Sequence, residues 1–159
     1  MNGTKTAVGI IGIIAIGVIW CFIVLNLESL ALKELVYPYP NMTLESWTES
    51  FIKGAQYAVV ASGILALIWS GFSKALNISK WPDTNSLRLR WLILLIIATI
   101  ATGVLALLYI PAVQTGGGKI LAYVFYFFNL FVTYWLATAL FSPPIVKYIP
   151  LGSKRIRFL

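Results

Sequence analysis

The sequence contains no histidine and a single cysteine, Cys21. Without histidine, the usual axial ligand of a membrane b-type haem, the commonest zinc ligand and the commonest general base are all missing. One thiol cannot close an intramolecular disulfide, so the fold needs no oxidising compartment. Acidic residues are scarce too: Glu28, Glu34, Glu45, Glu49 and Asp83 are all there are in 159 positions. No paired carboxylates, no Cys-x-x-Cys and no nucleophile beside a base can be read from the order of residues. Charged residues make up 11% of the chain, less than half the share of about 25% usual in soluble domains. A soluble domain this short could not hide so much apolar surface, since 60% of the residues are hydrophobic.

What the sequence does have is four long apolar runs, at residues 7–27, 51–72, 91–110 and 120–141. As a helix rising 1.5 Å per residue, each can cross a hydrocarbon layer of about 30 Å. The composition therefore predicts an all-α, polytopic membrane protein: a single integral domain, 1–159, built as a bundle of four transmembrane helices. Lys5 precedes the first run as in a signal peptide. That run is longer than an ordinary signal core, and Ser29 and Ala31 make a weak cleavage site, so an uncleaved signal anchor is expected. Ser46-Trp47-Thr48-Glu49 fits a capping box for the second helix, and Lys53 in its first turn can snorkel to the interface. Pro111 stops the third run and Ser142-Pro143-Pro144 the fourth, because proline has no amide hydrogen to continue a helix.

The net charge is +7. Nucleic acid is rejected as a partner, because the basic residues gather in short loops and at the C-terminus beside apolar runs. Lys5 lies before the first run. Lys74, Lys80, Arg88 and Arg90 lie between the second and third, and Lys147, Lys154, Arg155 and Arg157 follow the fourth. In a four-span topology all of these share one side. The other side holds the four glutamates with Lys33, Lys53 and Lys119. The positive-inside rule then places both termini in the cytoplasm. Loops 28–50 and 111–119 face outward, while loop 73–90 and the basic tail 143–159 face inward. The eight inner lysines and arginines of the loop and tail are candidates for anionic lipid headgroups on the cytoplasmic side. Compact loops and the lack of a transit segment point to the cytoplasmic membrane of a bacterium or archaeon.

The longer outer loop is too short to build its own core. Leu27, Leu30, Ala31, Glu34 and Leu35 recur at helical spacing, so the first helix extends past its apolar run or lies along the interface. Tyr37-Pro38-Tyr39-Pro40 forces an extended turn with tyrosines suited to the headgroup region. This loop is either a partner contact or an interfacial clamp. Of three glycosylation-type triplets, beginning at Asn2, Asn41 and Asn77, only Asn41 faces outward.

Small residues mark where helices approach closely in lipid. Ala58, Ser62 and Ala66 form one stripe, and Ala98, Thr102 and Ala106 a second, with Thr99 and Gly103 beside it. Gly9, Gly12 and Ala15 lie along the first helix. Asn129, Thr133 and Ala137 share a face of the fourth. An amide in hydrocarbon costs several kcal/mol unless bonded, so Asn129 is expected to face protein and find a hydroxyl or carbonyl. The fourth helix is also crowded with aromatics: Tyr123, Phe125, Tyr126, Phe127, Phe128, Phe131, Tyr134 and Trp135. They encircle it, so some must meet lipid or a partner helix.

With the runs bounded this way, no carboxylate and no cation lies well inside a span. Proton relays, ion-coupled carriers and voltage sensors need such charges, and a channel or carrier is disfavoured. Gln114-Thr115-Gly116-Gly117-Gly118-Lys119 ends in Gly-Lys but lacks Walker spacing, and is read as a flexible turn.

The last quarter is similar to the immunity proteins that protect bacteria from pore-forming colicins. The similarity runs from the Thr115–Gly118 turn through Thr133-Tyr134 to Pro143, Pro144, Lys147 and Tyr148. The earlier part shares only their four-helix layout with cytoplasmic ends. The resemblance implies helices that block a toxin's voltage-gated pore within the membrane. Residue by residue, the sequence points first to a non-catalytic subunit of a larger membrane complex of respiratory, secretion or transport type. Other integral membrane proteins and membrane lipids are its expected partners. It is expected to carry bound lipid and no cofactor of its own. An immunity or inhibitor protein is the second expectation.

Overall fold

A backbone in hydrocarbon must satisfy its own amides and carbonyls, and a helix does so locally. The computed structural model of the chain uses this solution throughout. It describes residues 2–36, 38, 40–75, 84–111, 116–142 and 149–151, with backbone alone for 2–6, 73–75 and 84. Four helices are long and apolar enough to cross a membrane: Ala7–Lys33, Leu44–Phe72, Asn85–Tyr109 and Gly116–Phe141. Among the described residues the architecture is all-helical.

Each helix outruns its apolar core. The first passes from Asn2–Ile19 through a π-helical turn, Trp20–Val24, into Leu25–Lys33. Residues 28–33 are therefore helix, not loop. The second helix is Leu44–Ala75. Its cap is Thr43 rather than Ser46: the Ser46 amide donates to Thr43 Oγ1 at 3.2 Å. Trp47 and Phe51, one turn apart, are both fully buried, and their packing extends the helix beyond the run that starts at residue 51. The third helix, Thr84–Tyr109, carries Arg88 and Arg90 in its first turns. The fourth runs through Gly116–Leu130, a second π-helical segment Phe131–Leu136, and Ala137–Phe141. It starts inside the glycine triplet that reads as a flexible turn in the sequence. The reason is a close approach: the Leu35 carbonyl lies 2.6 Å from where a Gly118 Cβ would stand. Only glycine admits the end of the first helix there.

The second and fourth helices meet along their length, with the first packed against both on one side and the third on the other. The start of the first helix meets the end of the fourth, where Gly9 lies under the Phe141 carbonyl and Gly12 under the Phe141 ring. The order is therefore up-down-up-down. One apolar cluster fills the end nearest residues 34–43, around Leu25, Leu32, Trp47, Phe51 and Tyr126. A second fills the opposite end, around Trp69, Leu87, Trp91, Leu130 and Tyr134. Outside, Phe22, Leu107 and Leu108 are each more than 70% exposed, part of an apolar skin suited to lipid.

The small residues sort by face. Ala58, Ser62 and Ala66 are buried, as are Ala98, Thr102 and Ala106, and Asn129, Thr133 and Ala137. Ala15 and Thr99 point outward. Gly103 has open space where a side chain would stand.

Candidate functional site: a carboxyl inside the bundle

Glu28 belongs to the outer loop in the sequence reading, and the structure moves it inside. It sits on the stripe Leu25, Glu28, Ser29, Leu32, all buried, which is the i, i+3, i+4, i+7 pattern of a core face. The spacing read from the sequence picks out the opposite face: Leu27, Leu30 and Leu35 are exposed. Side chains lean toward the start of their helix, so the Glu28 carboxyl reaches back into the bundle.

Its partner there is Asn129, midway along the fourth helix. Asn129 Nδ2 donates to Glu28 Oε2 at 3.0 Å, and Asn129 Oδ1 accepts from the Trp20 indole N–H. The indole can only donate, which fixes the amide the right way round. Asn129 therefore finds a carboxyl and an indole, not the hydroxyl or carbonyl expected. Its backbone carbonyl takes the Thr133 Oγ1 proton at 2.6 Å. Ser62 Oγ lies 2.6 Å from Thr133 Oγ1, a hydroxyl pair in which either can donate, and ties in the second helix.

The π-helical turn makes this convergence possible. Residues 20 and 28 lie roughly 80° apart on a straight α-helix, and absorbing one residue in a π turn cuts that to about 20°. The register change is seen in the Leu25 amide, which donates five residues back to the Trp20 carbonyl. The second π segment, Phe131–Leu136, begins two residues after Asn129. Two helices that change register thus face each other across one amide.

Glu28 Oε1 is buried and meets no hydrogen-bond donor among the described residues. A carboxyl in such a place costs several kcal/mol unless it is bonded. The single Asn129 amide offsets roughly 1.5–3 kcal/mol of that if the group is charged. The premise that no carboxyl lies well inside a span is therefore overturned. No apolar run reveals this residue: Leu25, Ser29 and Leu32 share its face, but Leu27, Leu30 and Leu35 recur as regularly on the other, and only packing chooses between them.

Toward the opposite end, the polar contacts continue along the fourth helix. Trp91 Nε1 donates to Thr138 Oγ1 at 3.0 Å, the Tyr134 hydroxyl to the Trp91 carbonyl at 2.9 Å, and Trp69 Nε1 to Ser142 Oγ at 2.9 Å. Among the described residues, no group of three or more metal-ligating side chains stands together. Of the headgroup candidates, Arg88 and Arg90 are exposed. Lys80, Lys147, Lys154, Arg155, Arg157 and the side chain of Lys74 lie outside the described residues, as do Tyr37, Tyr39, Asn77, Thr115, Pro143 and Pro144. Asn41 is exposed at the 34–43 end.

No family model matches this chain, and no curated protein or solved structure does so either.

Proposed function

We propose that this chain is a non-catalytic integral membrane subunit that packs against another membrane protein and stabilises a larger complex of respiratory, secretion or transport type. The observation that carries this reading is a phenylalanine ridge on the fourth helix. Phe127, Phe128 and Phe131 are 42–47% exposed and flank Asn129 near mid-depth. They lie away from the interfacial belts where tyrosine and tryptophan gather. Phe131 stacks on Trp135 with ring centroids 4.6 Å apart, and Phe128 leans on Trp20 at 6.0 Å. Rings held this way offer a large contact area with little rotamer freedom to lose. Behind them, Asn129, Thr133 and Thr138 fasten the helix to its neighbours.

The distribution of positive charge supports cytoplasmic termini and a place in the cell membrane. The basic inner segments suit anionic lipid, and nucleic acid is not a partner in this reading. The chain carries no cofactor of its own. The test is mild detergent extraction of the full-length chain, followed by native mass measurement. A defined larger assembly is expected from unchallenged cells, and replacing Phe127, Phe128 and Phe131 together by leucine should release the partner while the bundle still melts normally. A lone monomer, needed only when cells meet a pore-forming toxin, would replace this reading with that of an immunity protein. A tag on Leu159 reached from outside intact cells would overturn the orientation.

A further inference from the structure

The second helix presents one continuous face whose character changes partway along. Glu45, Glu49, Lys53 and Gln56 follow one another at spacings of three and four, and Val60, Gly63 and Leu67 continue the same line. The first three turns of that face are charged and the next three apolar. With the first helix it bounds two adjoining hollows. The first, of about 490 Å³, is lined by Lys33, Glu45, Glu49 and Lys53 with Gln56 at its edge. The second, of about 640 Å³, also starts at Gln56 and runs down between Gly17, Val18 and Phe22 on one side and Val60, Gly63 and Ile64 on the other. Its floor is open on both helices: nothing lies within 4 Å of where a Cβ of Gly17 or Gly63 would stand.

We propose that these hollows form one binding site for a phospholipid with a zwitterionic, primary-amine headgroup. The headgroup sits among Lys33, Lys53, Glu45 and Glu49, and an acyl chain lies in the groove floored by Gly17 and Gly63. Charge complementarity selects the occupant. Two ammonium groups meet the phosphate, and two carboxylates accept from the primary amine. A purely anionic headgroup would leave both carboxylates facing like charge. A trimethylammonium headgroup has no N–H to donate. A partner helix would have to match a charged face and an apolar face within six turns, which a phospholipid does by construction. The site is separate from the phenylalanine ridge and does not rest on the subunit reading.

The test uses the full-length chain in vesicles of equal phosphatidylethanolamine, phosphatidylcholine and phosphatidylglycerol. Native mass measurement after detergent release should show one phosphatidylethanolamine per chain, retained about tenfold over the other two. Gly17→Leu with Gly63→Leu fills the groove from its floor, where the new Cβ atoms meet nothing within 4 Å, and should abolish retention while the melting transition stays in place. Lys33→Gln with Lys53→Gln, both at exposed positions, should remove the headgroup preference. Equal retention of the three lipids by the unaltered chain would overturn the proposal. So would undiminished retention by either double variant, or a second protein chain found in the groove.

Discussion

The two ends of the bundle bury tryptophans in different ways. At the end near residues 34–43, polar tips go to backbone carbonyls. Trp47 Nε1 donates to the Pro111 carbonyl at 3.2 Å, Ser50 Oγ to Tyr109 at 2.9 Å and the Tyr126 hydroxyl to Phe51 at 3.2 Å. At the opposite end, the indoles of Trp69 and Trp91 go to side-chain hydroxyls, Ser142 and Thr138. Two of these three carbonyls, Tyr109 and Pro111, are ones the third helix leaves free at its end, so that end depends little on which residue supplies them. The second depends on particular hydroxyls of one helix. Between them Asn129 carries a carboxyl and an indole at once. Dependence on single side chains should therefore be greatest at the middle, intermediate at the hydroxyl end and least at the carbonyl end.

Asn129→Leu should be the most damaging change, because it strands both the Glu28 carboxyl and the Trp20 N–H. A loss of about 3–5 kcal/mol is expected in detergent unfolding. Adding Glu28→Leu should return much of it, and a double variant no better than the single one would deny the pairing. Gly54→Val comes next, since its side chain would run into Tyr109 and the Tyr126 hydroxyl. About 1–3 kcal/mol should be lost, whereas Gly103→Val on the open face should stay within roughly 0.5 kcal/mol. Thr138→Val should cost about 1–2 kcal/mol by leaving the Trp91 N–H unmet. Ser50→Ala, which removes the bond to the Tyr109 carbonyl with little change of volume, should cost least, about 0.5–1.5 kcal/mol. If Ser50→Ala proves worse than Thr138→Val by thermal melts, the contrast between the two ends fails.

The four helices long and apolar enough to cross a membrane are legible in the sequence, because such length needs a long apolar run whatever the packing. Their ends are not. Helical turns beyond each run carry polar residues, and only neighbouring helices decide that Glu28 turns inward while Leu27 and Leu30 turn out. The choice of Asn129 as a buried amide follows from its place in a greasy helix, but its partner lies 101 residues away and no local pattern names it. The Gly116–Gly118 triplet misleads for a related reason. Glycine signals a turn by its freedom and a close approach by its size, and sequence alone cannot separate the two.

The separation of Glu28 from Asn129 has a consequence during biosynthesis. A ribosome adding roughly 5–20 residues per second makes the carboxyl roughly 5–20 s before the amide that receives it. Over that interval Glu28 has no amide to receive it and no fourth helix to cover its face. That face closes only when the final helix arrives. A chain stopped before its last quarter would leave that carboxyl uncovered, a mark by which a protease or chaperone can tell unfinished molecules from finished ones.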